Sequence, residues 1–392
     1  MKHKNTAYIF RGAFARNYNQ IQLRLRENCT AIGRTSVPRI ICVVKADAYG
    51  HGIDTAARAL GDAGCDFFAV SCIEEALAVR AVCNEQNATA DVLILGYTDP
   101  AHACTLAAED LTQALLSPAY AEALEKEAKR AHVCVKTHVA VDTGMNRIGF
   151  CAHNNQEIAQ ATRDISAVIA SPHLLACGMF THFAMADGTD EASLSLTRTQ
   201  ITRYRALKNE LESNGVSIPF HHVCNSAATM TSDTQILFDG VRLGILLYGG
   251  ASHLHASLSL SPVMRLEASV VHVHPWLKGE RIGYGGTYIA ERDRTVAVLP
   301  LGYADGFMRA YSGGTVVLYT RGGRYTVPVV GRICMDQTLV DVTGIDVQVG
   351  DTAVLFGDTA EQTAALAAHA GTIDYESLTA ISARVVRIYK NT

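Results

Sequence analysis

Short runs of apolar, largely β-branched residues recur through the first 250 positions, centred on 41–44, 67–70, 92–95, 114–116, 135–141, 178–183, 221–224 and 244–248. Between most of them apolar residues return every three or four positions, as in Ile53, Ala56, Ala57 and Leu60, or in Ile201, Tyr204, Leu207 and Leu211. That spacing lines one face of a helix, whereas a short unbroken apolar run suits a strand covered on both sides. Strand and helix alternating in this way predict an α/β fold, a parallel (β/α)8 TIM-type barrel over residues 1–250. The pattern changes after Gly249 and Gly250. Short strands separated by glycine turns are expected at 268–273, 295–299, 315–319, 326–330, 338–342, 353–356 and 384–388, with one helical run at 362–368. Residues 251–392 therefore read as a predominantly β C-terminal domain.

Composition narrows the classes of function. Apolar residues make up 48% of the 392 positions and charged residues 18%, with a formal net charge of −4. This balance supports a large core and gives no basic excess for nucleic acid. No apolar stretch reaches the roughly 18 residues of a membrane span. The first 20 residues mix basic and apolar positions without an apolar secretion segment. Eleven cysteines are scattered at irregular spacings with no CxxC pair, as expected of reduced thiols in a cytoplasmic protein.

The chemistry is concentrated at the ends of the expected strands. Lys45 closes the first apolar run in Val43-Val44-Lys45-Ala46-Asp47-Ala48-Tyr49-Gly50-His51-Gly52. The C-terminal end of a barrel strand faces the active site. A lysine there is either a structural partner of an acid such as Asp47, or a desolvated amine able to form a Schiff base. Position alone leaves both readings open. The segments after the seventh and eighth strands, Cys224-Asn225-Ser226-Ala227-Ala228 and Arg242-Leu243-Gly244-Ile245, stand where barrel enzymes often bind phosphate. Ser226 and Gly244 also suit a plain helix cap and a plain turn. In the β domain, Tyr284 sits among glycines in Gly283-Tyr284-Gly285-Gly286, which suits a side chain pressed close to a ligand. His253 with His255, His272 with His274, and His221 with His222 have no further ligand at a zinc spacing, so no metal is expected. Cys334 has no histidine or asparagine partner in the order a thiol protease needs and reads as a buried thiol.

The segment Lys45-Ala46-Asp47-Ala48-Tyr49-Gly50-His51-Gly52 resembles the cofactor-lysine motif of the alanine racemases, a barrel-fold class of pyridoxal 5'-phosphate enzymes. Asp142-Thr143-Gly144-Met145-Asn146-Arg147, Thr181-His182-Phe183-Ala184, Leu301-Gly302-Tyr303-Ala304-Asp305-Gly306 and Gly331-Arg332-Ile333-Cys334-Met335-Asp336-Gln337 resemble other signatures of that family. The resemblance runs from about Lys45 to Arg387. It implies that Lys45 carries pyridoxal 5'-phosphate, that Tyr49, Ser226, Gly244 and Ile245 hold the phosphate, and that Arg242 faces the pyridine nitrogen. A guanidinium only donates hydrogen bonds and stays charged. It therefore leaves the pyridine unprotonated, a weaker electron sink that favours return of the proton to Cα. By the same resemblance, Tyr284 is the base on the opposite face, supplied by the partner subunit of a homodimer with shared active sites. An ordinary tyrosine has a pKa near 10, so this role needs help from neighbours. His182, Arg242 and His222 form its network, Arg147 and the Met335 amide face the substrate carboxylate, and Tyr303, Arg309, Arg332 and Asp187 shape the access corridor. The implied reaction is interconversion of L- and D-alanine, with D-alanine destined for cell-wall peptidoglycan. A racemase accepting serine or another small amino acid is the alternative. A related decarboxylase is disfavoured by Arg242, and a barrel-only cofactor carrier by the second domain.

Two positions depart from the family's pattern. Many members have a lysine that becomes carbamylated seven residues before the loop arginine, and here that position is Ala140. Another anion must then steady Arg147, or its loop is looser. A tyrosine that often precedes the arginine of the last strand is here Ala383, before Arg384, which removes one phosphate contact and enlarges the pocket.

Overall fold

The computed structural model describes residues 5–230, 234–254 and 258–392, so His255 lies outside the described residues. The chain divides into two compact units, one formed by residues 18–48 and 53–244, the other by residues up to 17, 49–52 and 245–392.

The first unit contains the expected parallel barrel. Its strands are Arg39–Val43, Phe67–Val70, Asp91–Ile94, Thr112–Leu115, Val135–Asp142, Leu174–Thr181, His221–His222 and Gly240–Leu243. Each pairs in parallel with the next, and the last returns to the first with Arg242 opposite Ile41, which closes the ring. Closure leaves no free sheet edge, and these strands are buried almost throughout. The helices between them start where side chains satisfy the first free N–H groups. The Ser117 hydroxyl accepts from Tyr120 before Pro118–Arg130, Asn154 from Glu157 before Asn155–Ile169, and Asp190 from Ser193 before Glu191–Ser213. Ala56, Ala57 and Leu60 are buried on helix Ile53–Asp62, as are Ile201, Tyr204, Leu207 and Leu211 on Glu191–Ser213.

The eighth strand is displaced from its expected place. Residues 244–248 do not form it; Gly240–Leu243 does, and Ile245–Tyr248 is a buried 3-10 turn. A short apolar run signals burial without saying which backbone shape is buried. Arg242 is consequently on the strand itself and not in the loop after it.

The second unit is mainly β. A six-stranded sheet has the order Gly323–Pro328, Thr315–Thr320, Thr352–Phe356, Met264–Ser269, Asn5–Phe10, Val386–Lys390. Asn5–Phe10 belongs to this sheet although it opens the chain, pairing antiparallel with Met264–Ser269 and parallel with Val386–Lys390. A three-stranded sheet joins His272–Trp276, Arg294–Leu299 and Thr338–Asp341. Trp276, Ile282, Ala290, Val296 and Val330 form a packed cluster in this unit. Helix Ala360–His369 covers the expected run at 362–368.

One backbone feature was not foreseen. Immediately after Lys45, residues 46, 47, 48 and 49 have φ of 55°, 52°, 53° and 54°, and Gly50 follows at 78°. This is a full turn of left-handed helix carrying four side chains, each costing ~1–2 kcal/mol relative to the right-handed form. Local hydrogen bonds hold it. The Ala48 N–H donates to the Val44 carbonyl at 2.9 Å, the Asp47 N–H to Glu75 at 3.3 Å, and the Asp47 carboxylate accepts the Ile53 N–H at 2.8 Å. Strain of this kind collects at working sites. Because Ala46 is exposed and strained, Ala46→Gly should raise the unfolding free energy by up to ~1 kcal/mol and Ala46→Val should lower it. The two melting temperatures, measured against the parent, check the opposite signs.

Candidate active site

Arg242 is the most constrained cation in the barrel, with only 3% of its surface exposed. Among the described residues no carboxylate pairs with it. Its Nη1 donates to the Nδ1 of His222 at 2.8 Å and to the His222 carbonyl at 2.7 Å. Its Nη2 donates to the carbonyls of Thr181 at 2.7 Å and Val223 at 3.0 Å, with the Nδ1 of His182 at 3.3 Å. The guanidinium has five N–H groups. The fifth, on Nε, takes part in none of these bonds among the described residues. Burial lowers the Arg242 pKa to about 10, still far above neutrality. Guanidinium cannot accept a hydrogen bond, so the nitrogens facing it on His182 and His222 carry lone pairs. Both imidazoles are therefore neutral. Burial and the Arg242 charge push the His182 pKa down to about 3 and that of His222 well below its ordinary value.

Lys45 lies two residues beyond the end of the neighbouring strand, Arg39–Val43. Its amine is pushed below the usual lysine pKa, first by burial, then by the charge of Arg147, with Arg242 adding to this and Glu75 opposing it. Among the described residues the amine forms no ion pair, and Asp47, its possible structural partner, caps the Ile53 N–H instead. The barrel thus gathers an amine and two guanidiniums without a matching set of acids. Such an arrangement suits an anion and lowers the cost of leaving the amine unprotonated.

Arg147 lies on an exposed loop hung from one carboxylate. Asp142 accepts the N–H groups of Gly144 at 2.9 Å, Asn146 at 3.0 Å and Arg147 at 3.2 Å. These bonds and His153, whose Nε2 is 3.3 Å from Asp142, hold the Asp142 pKa below the usual range against the effect of its burial. The backbone of the loop is therefore fixed although position 140 is a buried alanine. The loop also borders an open cavity of about 640 Å³ with Tyr97, Leu116, Tyr120 and His153 in its wall.

Ser226 is the first residue of helix Ser226–Thr229, which Asn225 caps. The Ser226 hydroxyl accepts the Gly244 N–H at 3.0 Å, which leaves the hydroxyl proton free to be donated. Asp187 is exposed in the loop after strand Leu174–Thr181.

The remaining candidates lie in the second unit. Tyr49 is buried, with its ring 4.5 Å from that of Tyr248 and 6.0 Å from that of Tyr375, and burial raises its pKa. Ile245 is buried at the start of its 3-10 turn. Tyr284 is 66% exposed on a turn whose flanking Gly283 and Gly285 have φ of 67° and 75°. A Cβ on Gly285 would lie 3.0 Å from the Arg332 guanidinium, so Arg332 covers that turn. The Tyr303 N–H donates to the Cys334 carbonyl at 3.1 Å and the Ala304 N–H to the Met335 carbonyl at 3.0 Å, which ties the loops carrying Tyr303 and Met335 together. Tyr303, Met335, Arg309 and Arg332 are all exposed, and so is Ala383.

Of the paired histidines, His221 accepts or donates to the Tyr204 hydroxyl at 2.9 Å, and the His272 and His274 rings stack 5.2 Å apart. Sequence reasoning missed His138, which is buried inside the barrel with its Nδ1 2.9 Å from the Nε2 of His222. The signal available was a histidine inside the apolar run 135–141, which periodicity treats as any other strand residue.

A closed parallel barrel of eight strands, followed by a β-rich second unit, defines the (β/α)8 class of barrel proteins. Residues 14–252 match the family model described as the alanine racemase N-terminal domain, and residues 263–389 match the alanine racemase C-terminal domain. The chain belongs to the alanine racemase family. It is 38% identical to an alanine racemase of Desulfovibrio desulfuricans over 387 residues, covering 98% of this chain and 97% of that one. It is 36% identical to one from Clostridium novyi over 363 residues, covering 91% and 90%. The solved alanine racemase from a D-cycloserine-producing Streptomyces lavendulae superposes with a TM-score of 0.87 at 30% identity, covering 100% of this chain and 98% of that one. The Clostridium difficile 630 alanine racemase gives 0.84 at 32% identity, with 100% and 96% covered.

The lowered pKa values of His138 and His182 have a consequence for stability. His138 and His182 have folded pKa values of about 3. The unfolded chain binds protons on them below about pH 6.5, while the folded chain does so only near pH 3. Unfolding therefore takes up protons in this window, and stability must fall with acidification at about 1.4 kcal/mol per pH unit for each imidazole. Urea unfolding at neutral pH and at successively lower values checks the slope; a flat profile would contradict the neutral assignment.

Proposed function

We propose that the chain interconverts L- and D-alanine using pyridoxal 5'-phosphate. The observation that carries the reading is the half-buried amine of Lys45, which forms no ion pair among the described residues and is pushed below its usual pKa first by desolvation and then by the charges of Arg147 and Arg242. The residues present suit the cofactor. Lys45 supplies the amine that would hold it covalently, the Nε–H of Arg242 suits a bare pyridine nitrogen, and the Ser226 hydroxyl proton suits a phosphate oxygen. Tyr49, Gly244 and Ile245 are assigned to the phosphate by the family resemblance. When bound, the cofactor supplies the electron sink that acidifies the Cα–H of an amino acid.

The protein's own groups then handle the proton. Lys45, kept towards its neutral form by burial and neighbouring cations, takes the Cα proton from one face or returns it there. The Tyr284 hydroxyl of the partner subunit does the same on the other face, so the chain works as a homodimer with shared sites. His182, neutral and accepting from Arg242 at Nδ1, has its proton on Nε2 and can donate it. Arg147 and the Met335 N–H bind the substrate carboxylate. Tyr303, Arg309, Arg332 and Asp187 line the approach. Arg242, always charged and a donor only, would leave the pyridine nitrogen of the bound cofactor unprotonated, a weaker electron sink that favours return of the proton to Cα by Lys45 or Tyr284. The D-alanine formed would serve cell-wall peptidoglycan. A broader preference that includes serine is favoured by Ala383, which places a methyl where a tyrosine would narrow the pocket.

The deciding assay follows Cα proton exchange in heavy water for a panel of L-amino acids with the purified, cofactor-loaded protein. Exchange and inversion with alanine fastest is the expected result, and serine fastest would select the broader reading. Lys45→Ala should lose the visible cofactor absorbance and all exchange. Tyr284→Phe should keep the absorbance yet lose turnover unequally, retaining proton abstraction from one enantiomer. Equal loss with both enantiomers would defeat the division of labour between two faces.

A further inference from the structure

We propose that His138 is a positioning residue for Arg242, the last member of a hydrogen-bonded relay in which each proton's place is dictated by the guanidinium. The relay runs Arg242 Nη1 to His222 Nδ1 at 2.8 Å, and His222 Nε2 to His138 Nδ1 at 2.9 Å. Its direction follows from donor chemistry alone. Arginine only donates, so His222 Nδ1 holds a lone pair and the His222 proton sits on Nε2. That proton is donated to His138 Nδ1, which must also hold a lone pair, so the His138 proton sits on Nε2. A second proton on either ring would set N–H against N–H.

The fold makes room for this ring at some cost. Strands Val135–Asp142 and Leu174–Thr181 stay in register up to Thr137 opposite Ala176, then jump so that His138 faces Gly178. Cys177 is the extra residue of that bulge, and bulges re-aim side chains. A Cβ on Gly178 would lie 2.6 Å from the His138 ring, so only glycine fits opposite it. An aromatic sleeve excludes water. Phe67 meets His138 edge-on at 6.0 Å, Phe220 lies 6.1 Å away, and Phe180 stacks on His222 at 4.9 Å. The charged and titratable groups facing the pair are Arg242, Arg39 and His221, and burial with these neighbours holds both imidazoles neutral.

The relay matters because, among the described residues, His222 is the only side chain that accepts from Nη1. Its Nδ1 is a better acceptor while its Nε2–H is donated onward. Without His138 the Nε2–H is an orphan in an aromatic sleeve. The ring then escapes the penalty by turning or by moving its proton to Nδ1, and either change displaces Arg242. The consequence for turnover rests on the proposed pairing of Arg242 with the pyridine nitrogen, whereas the proton positions do not.

The test is imidazole nitrogen-15 NMR of histidine-labelled, cofactor-loaded enzyme, with alanine racemisation measured on the same samples. In the parent protein, His138 and His222 should both show the Nε2-protonated neutral pattern, unchanged from roughly pH 5.5 to 8.5, where free histidine titrates. His138→Phe should retain cofactor absorbance, alter the His222 pattern, and lower kcat roughly tenfold, the effect of one buried donor left without an acceptor. In His138→Asn the Oδ1 takes the place of Nδ1, and both the His222 pattern and the rate should recover. A His222 proton on Nδ1 in the parent, or an unchanged His222 signal and rate in His138→Phe, would overturn the proposal. If His138→Phe does not fold, His138→Asn decides: a lost His222 pattern in a folded Asn variant overturns the relay. A parent protein with the expected proton positions but no cofactor absorbance would instead sink the proposed function and leave the relay standing.

Discussion

The barrel is organised around a positive charge buried without a counter-ion. Isolated in an apolar interior, an ionised group would cost many kcal/mol. Arg242 avoids this because three backbone carbonyls and two imidazole lone pairs surround its Nη atoms. Every one of those acceptors is polar yet uncharged, so the positive field persists. Added to the larger effect of burial, it helps keep His182 and His222 neutral and the Lys45 amine below its usual pKa. An acid in the same place would have satisfied the guanidinium and removed the field.

Other local features serve the same end. The left-handed turn at 46–49 follows Lys45 just beyond its strand, and Asp47 is committed to that turn through the Ile53 N–H. An acid adjacent in sequence is thereby occupied as a helix cap instead of an ion-pair partner. Asp142 likewise spends its charge on backbone N–H groups of the loop that bears Arg147. In both places a carboxylate organises backbone and leaves a nearby cation unneutralised. Position 140, a buried alanine, supplies no polar group to this loop, whose backbone Asp142 holds instead.

Much of the architecture was legible in the pattern of apolar runs. Seven of the eight barrel strands, the helices carrying Ala56 and Leu60 or Tyr204 and Leu211, and most strands of the second unit follow from periodicity, since burial on one face or two leaves that trace in any sequence. The eighth strand did not, because Gly240–Leu243 and Ile245–Tyr248 are both buried and apolar composition cannot tell a strand from a 3-10 turn. The placement of Asn5–Phe10 was equally hidden, because its partners are more than 250 residues away in sequence.

By itself, the sequence determined the parallel barrel, the β-rich remainder, the family, and the candidate lysine, for these rest on local periodicity and contiguous motifs. Only the tertiary structure decided that Lys45 forms no ion pair among the described residues, that the Nε–H of Arg242 takes no part in its hydrogen bonds there, and that His138 stands behind His222. Those facts depend on which strands become neighbours and on where a bulge and a glycine open space. Hydrogen bonds between residues 20 to 84 positions apart leave no mark on the spacing of residues along a chain.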